Sequence, residues 1–223
     1  MDNNIILNIA IYALPVIFAF TMHEAAHGYI AKLFGDFSAF NEGRCTLNPI
    51  RHIDFLGTLV VPSISFAIGK LIVGASFLIG WAKPVPQNPD SLRNPDRDPF
   101  WIALAGPGSH LIMLIFWAVI AKLGIILPHG ILTSLLVNIG KAGIEINIIL
   151  MLINLLPLPP MDGGYMLISL LPQNLAEQVA RIEPQYGLAI LIVLLLSGIL
   201  NLIIQPAYLG VSKIITSFFG LYI

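Results

Sequence analysis

Long runs without a charged side chain alternate with two short charged clusters along this chain of 223 residues. Residues 3–22, 99–121, 123–140, 146–161 and 184–212 contain no Asp, Glu, Lys or Arg, and several approach the roughly 20 apolar residues that cross a bilayer as one helix. The pattern predicts a first helix from about Ile5 to Phe34, then an irregular or extended stretch from Gly35 to Asp54 containing Gly, Asn and Pro. Phe55 to Trp81 is apolar but unlike a spanning helix. Pro62 and Gly57, Gly69, Gly74 and Gly80 interrupt it, Lys70 lies in its middle, and Val, Ile and Ser abound, so it reads as re-entrant or partly β. WAKPVPQNPDSLRNPDRDP follows, with five prolines, as a loop. Further helices are predicted from Phe100 to Leu123, within Ile131 to Leu156, and from Leu188 to Ile204. A tail from Tyr208 to Ile223 is apolar enough either to lie on the membrane or to cross it. The expected fold class is an all-α polytopic integral membrane protein, a helical core with a small re-entrant or β element between the first and second spanning helices.

Composition agrees with the pattern. Hydrophobic residues make up 57% and charged residues 10%, against about 25% charged in a soluble domain, and the mean hydropathy is +0.87. A net charge of -1 with scattered basic residues offers no continuous patch for nucleic acid, and the chain is too apolar to be disordered. Cys45 is the single cysteine, which excludes a disulfide framework within the chain; nothing beside it suggests an activated thiol. The opening Met1-Asp2-Asn3-Asn4 lacks the positive charge of a secretory signal, so the first apolar segment is expected to stay in the mature protein.

Candidate chemistry begins near the end of the first helix. HEAAH at 23–27 places His23 and His27 four residues apart, hence on one helical face with Cβ atoms about 5–6 Å apart. Two imidazoles so placed can bind one zinc ion, and Glu24 beside them is placed to take a proton from the attacking water. Three ionisable side chains within a membrane helix are costly and mark a functional site by default. Such a zinc site needs a third protein ligand. Glu42, Asp90, Asp96, Asp98, Glu177 and Glu183 lie in polar loops, where a solvated charge is the default. Asp162 differs: in NLLPLPPMDGGY, three prolines prevent regular helix and Gly163 and Gly164 permit close backbone approach. That turn can hold one carboxylate at membrane depth; the alternative is a helix-ending turn with a solvated Asp. Lys141 and Glu145, four apart on one helix, read as an ion pair near a membrane surface.

HEAAHG at 23–28 with NLLPLPPMDGG at 154–164 resembles the site-2 protease family of intramembrane zinc metalloproteases, and GRCTLNP, GWAKPVP and AGPGS between them resemble its compact prokaryotic branch, which has no PDZ domain. The likeness covers roughly residues 15–170. It implies one Zn2+ per chain held by His23, His27 and Asp162, with Glu24 as catalytic base and Asn154 helping to hold the substrate or its oxyanion. It implies hydrolysis of peptide bonds in or near transmembrane segments, with a catalytic core over about 5–170 and C-terminal membrane segments over about 186–223, all in one domain spanning 1–223. Met161 stands where the family usually has Leu, and His110 where it usually has Asn, which leaves position 110 without a carried-over role.

Topology constrains the pairing. Asp162 reaches His23 and His27 only if the chain crosses the bilayer an even number of times between Lys32 and Pro157, so the segment before Trp81 must return to its own side. Lys32, Arg44, Arg51, Lys83, Arg93, Arg97 and Arg181 then share one face, against Lys122, Lys141 and Lys213 elsewhere. The positive-inside rule makes that face cytoplasmic, with the N-terminus outside. A strand edge within Phe55 to Trp81 is expected to hold an unwound substrate by β-augmentation, so that proline at Val73 or Ala75 impairs cleavage; the sequence does not identify the paired residues. The implied partners are transmembrane protein substrates and the lipid bilayer, with regulatory membrane partners or a homo-oligomer left open and no nucleic acid. The competing class is a membrane transporter or scaffold that binds a metal without hydrolysis; the lack of two matching halves and the base beside the ligands weigh against it.

Overall fold

The computed structural model describes residues 3–60, 80–128, 130–181 and 183–221. Helix α1 (Asn3–Leu33) is followed by a single turn, α2 (Ser38–Asn41). Then come α3 (Asp98–Ile126), α4 (Ile131–Asn154), α5 (Asp162–Leu170), α6 (Gln173–Ala180), α7 (Pro184–Leu196) and α8 (Ile199–Phe219). Of the described helices, α3, α4 and α8 are long and apolar enough to cross a membrane, with a fourth span if α6 and α7, bent by 77° at their break, count as one.

Helices α3 and α4 form the central hairpin, and small residues set its closeness. An added Cβ at Gly140 would lie 2.6 Å from the backbone nitrogen of Ala121, and one at Gly143 2.2 Å from the Trp117 ring. Backbones that approach this closely gain dispersion contacts, which bind helices together where lipid removes the hydrophobic drive. Met113, Leu114, Trp117 and Ala118 of α3 pack there with Ile144 and Ile148 of α4 and Ile215 of α8. Outward, Ile112, Phe116 and Leu132 are exposed, as expected of side chains that face hydrocarbon. Helix α1 packs across both members of the hairpin, and α5 packs against α3.

Several sequence expectations change. The helix expected over Leu188 to Ile204 is broken: α7 ends at Leu196, and Gly198 adopts φ 77°, a left-handed conformation that glycine takes without a Cβ penalty. The polar loop expected around Glu177 and Glu183 contains α6, and the tail is part of α8. The re-entrant or β element is not seen among the described residues, which contain no strand. Phe55–Val60 is instead a π-helical turn, and the Asp54 carboxylate accepts the Gly57 N–H at 2.6 Å, the hydrogen bond of a helix-starting residue. Residues 80–88 carry no regular secondary structure; the Val73 and Ala75 edge lies outside the described residues. Finally, the Glu145 carboxylate is met not by Lys141 but by the Tyr12 hydroxyl, at 2.8 Å, which ties α1 to α4.

Candidate metal centre

His23 and His27 project from α1 toward the first residue of α5, Asp162. The two Nε2 atoms are 3.1 Å apart, Asp162 Oδ2 is 3.4 Å from His23 Nε2, and Oδ1 is 3.3 Å from His27 Nε2. A tetrahedral ion with bonds of about 2.0–2.1 Å holds its ligand atoms roughly 3.3 Å apart; the two imidazole nitrogens match one such edge, each is near that distance from a different oxygen of the one carboxylate, and one donor atom from each residue lies within 4.8 Å of the other two. They form the one group of this kind among the described residues. Asp162 Oδ2 is buried and has no hydrogen-bond partner, a costly state for a carboxylate oxygen that a cation would relieve.

Each donor is held by its surroundings. His27 Nδ1 lies 2.7 Å from the Ile102 carbonyl; a carbonyl only accepts, so Nδ1 carries the proton and Nε2 presents a lone pair to the cluster. His23 and His27 meet edge to face. Asp162 is fixed by the turn before it. An added Cβ at Gly163 would fall 2.4 Å from the Leu155 carbonyl oxygen, and one at Gly164 2.3 Å from Pro159 nitrogen, so both glycines are needed for the chain to fold back on the end of α4. The fourth wall is Gly106 of α3, where an added Cβ would lie 2.5 Å from His23 Cε1 and 2.6 Å from both Asp162 Oδ2 and His27 Nε2. A backbone with no side chain is what lets α3 close on the three donors.

Glu24 sits beside this group, and its Oε2 accepts the Val85 N–H at 2.8 Å. Asn154, at the end of α4, is half-buried and turns its amide back to the Leu150 carbonyl at 2.9 Å; it is not among the residues that converge on the donors. His110 is buried instead, one helical turn beyond Gly106, with its ring centroid 5.1 Å from that of His23. Its Nδ1 is 2.9 Å from Asn147 Oδ1, whose amide donates to the Gly143 carbonyl at 2.8 Å and so fixes which end faces the ring. The sequence showed His110 only as a departure from a family pattern and Gly106 only as part of AGPGS, and gave no signal for Asn147 beyond its place in an apolar helix.

A helical membrane bundle with a buried group of two imidazoles and a carboxylate, and a second carboxylate beside it, is the arrangement of a metal-dependent membrane hydrolase. The chain belongs to peptidase family M50. The model of that family matches residues 125–196. The chain is 33% identical over 200 residues to a Bacillus subtilis (strain 168) protein named "Putative zinc metalloprotease YwhC", a match that covers 86% of this chain and 83% of that one. It is 26% identical over 184 residues to "Putative zinc metalloprotease Rip2" of Mycolicibacterium smegmatis (strain ATCC 700084 / mc(2)155), covering 81% of this chain and 64% of that one. No solved structure matches.

Proposed function

We propose that this protein is an intramembrane zinc metalloprotease in which His23, His27 and Asp162 hold the metal and Glu24 is the general base. The observation that carries this reading is the convergence of His23, His27 and Asp162, with separations of 3.1–3.4 Å between the two imidazole nitrogens and from each of them to one oxygen of the carboxylate, around a space bounded by the bare backbone of Gly106. Zinc bound there supplies a Lewis acid for the scissile carbonyl and lowers the pKa of the attacking water. The chain's own residues do the rest. Glu24, with Oε2 held by Val85, takes the proton of the water on Oε1 and returns it to the leaving amine. Asn154 keeps its side-chain oxygen available for the substrate backbone, because only its NH2 group is turned to Leu150. Hydrolysis proceeds without a covalent enzyme intermediate.

Substrates are transmembrane proteins, reached within the bilayer. Asp98, at the start of α3, and Gly106 are eight positions apart on one helix, which puts the site about 12 Å along α3 from its end. Lys122 lies near the opposite end of that helix, where it reaches the Gly220 carbonyl. The larger basic group, including Arg44, Arg51, Lys83, Arg93 and Arg97, thus belongs to the end nearer the site, which supports a site opening toward the cytoplasm with α1 crossing from outside. The test is purified wild type beside Glu24→Gln in detergent, with zinc content and cleavage of a model transmembrane substrate measured together. Zinc in both and cleavage by wild type alone supports the reading; equal cleavage by both refutes it.

A further inference from the structure

Two segments that the sequence marks but the reaction has not used, GRCTLNP and GWAKPVP, meet beside the general base. Arg44 is 4% exposed, and its guanidinium is not spent on a carboxylate within ion-pair distance among the described residues. Its Nη2 instead donates to the Lys83 carbonyl at 2.6 Å and, at 3.5 Å, to that of Pro84. A buried cation committed to backbone carbonyls is expensive, so the segment it holds warrants the cost only if its position matters. The next residue is Val85, whose N–H donates to Glu24 Oε2 at 2.8 Å.

The local sequence makes that donor well defined. Pro84 and Pro86 have no N–H, so Val85 carries the single backbone donor of residues 84–86. A residue before proline is held in the extended region, which restricts both Lys83 and Val85, and residues 80–88 belong to no helix. Upstream, the Lys83 N–H donates to the His52 carbonyl at 2.9 Å, and His52 is itself buried and tied to the Thr46 carbonyl at 2.9 Å. The strut is thus anchored on both polar edges before it reaches Glu24.

We propose that the Lys83–Pro86 strut, clamped by Arg44, is a positioning device for the Glu24 carboxylate: the Val85 N–H occupies Oε2 and leaves Oε1 directed at the water to be deprotonated. Arg44 and Val85 are positioning residues and touch neither substrate nor metal. The inference rests on Glu24 being the general base and adds how that base is aimed. A carboxylate free to rotate spends part of its time in unproductive orientations, so losing the strut lowers kcat and leaves substrate binding and metal content alone.

Val85→Pro removes the N–H while keeping an extended backbone between two prolines, and Val85→Ala removes most of the side chain while keeping the N–H. Both are compared with wild type, Arg44→Lys and Glu24→Gln in detergent for zinc per chain, KM and kcat on one model transmembrane substrate. A hydrogen bond to a charged group is worth about a tenfold to hundredfold change, so Val85→Pro is expected to lose that factor in kcat, with KM and zinc as in wild type. Val85→Ala should exceed it at least tenfold. Arg44→Lys, which keeps one donor for the Lys83 carbonyl, should fall between Val85→Pro and wild type. The Glu24 carboxylate band, isolated as the infrared difference between each protein and its own Glu24→Gln version, should shift in Val85→Pro and not in Val85→Ala. Wild-type kcat in Val85→Pro, or equal losses in the two Val85 variants, or a loss carried by KM or zinc, overturns the proposal. An active Glu24→Gln would instead overturn the assignment of the base.

Discussion

Gly106→Ala puts the metal centre under the most direct steric load available in the structure. The new Cβ would lie 2.5 Å from His23 Cε1 and 2.6 Å from Asp162 Oδ2 and His27 Nε2, against the roughly 3.5 Å at which non-bonded atoms rest. All three side chains must therefore retreat by about 0.9–1.0 Å, several times the ~0.2 Å by which metal–ligand distances vary. Overpacking of this kind costs about 1–3 kcal/mol, and if that cost falls on assembling the three donors, zinc dissociates roughly five- to 150-fold more readily. The assay is zinc retention against chelators of graded affinity, with apparent Tm of the metal-free protein measured alongside to separate site from fold. Gly108→Ala, two residues on, is the matched control, because an added Cβ there meets nothing within 4 Å. Wild-type zinc retention in Gly106→Ala, or equal losses in both variants, would refute the argument that α3 closes on the ligand atoms.

Two further outcomes follow from contacts outside the metal centre. Asp36 is buried and accepts the backbone N–H groups of Ser38 at 2.9 Å and Asn88 at 2.7 Å; burial alone would raise its pKa, but these bonds hold it below the usual carboxylate range. Its folded pKa being the lower, its contribution is full above about pH 4 and is lost as pH falls through the folded value. Asp36→Asn should lower the apparent Tm by roughly 4–8 °C at neutral pH for a loss of about 2 kcal/mol, with the gap closing in acid; a gap independent of pH would contradict this. Tyr12→Phe strips the hydroxyl from Glu145 and should lower the apparent Tm by about 2–4 °C for roughly 1 kcal/mol, seen in thermal unfolding in detergent; no change would mean that Glu145 finds another donor.

What the sequence made legible was whatever a local rule controls. The four-residue spacing of His23 and His27 follows from helix geometry, and the close-packed turn at Gly163 and Gly164 from the absence of Cβ atoms, so both could be read without coordinates. The α3–α4 hairpin was legible because uncharged runs of the right length have few alternatives. The break at Gly198 was not: a single glycine inside an apolar run is tolerated in membrane helices, and only packing decides whether it takes φ 77°. Phe55–Val60 misled in the other direction, since its β-branched and glycine-containing composition gave way to one side chain, Asp54, capping a helical turn. The Lys141–Glu145 expectation failed because a helix-local spacing rule cannot see Tyr12, 133 residues away in sequence. Gly106, Val85 and His110 escaped for the same reason: AGPGS, GWAKPVP and the departure at position 110 mark their neighbourhoods, but their contacts are made across elements, so no local rule says what each residue does.

The central claim is that one zinc ion is held by two imidazoles and one carboxylate from distant parts of the chain. Zinc K-edge X-ray absorption on the purified protein tests it directly. The account predicts nitrogen and oxygen scatterers at about 2.0–2.1 Å, with the multiple scattering of two imidazoles, and a changed first shell in Asp162→Ala. A sulfur shell near 2.3 Å, which could come within the chain from Cys45 or a methionine, or a spectrum untouched by Asp162→Ala, would contradict it.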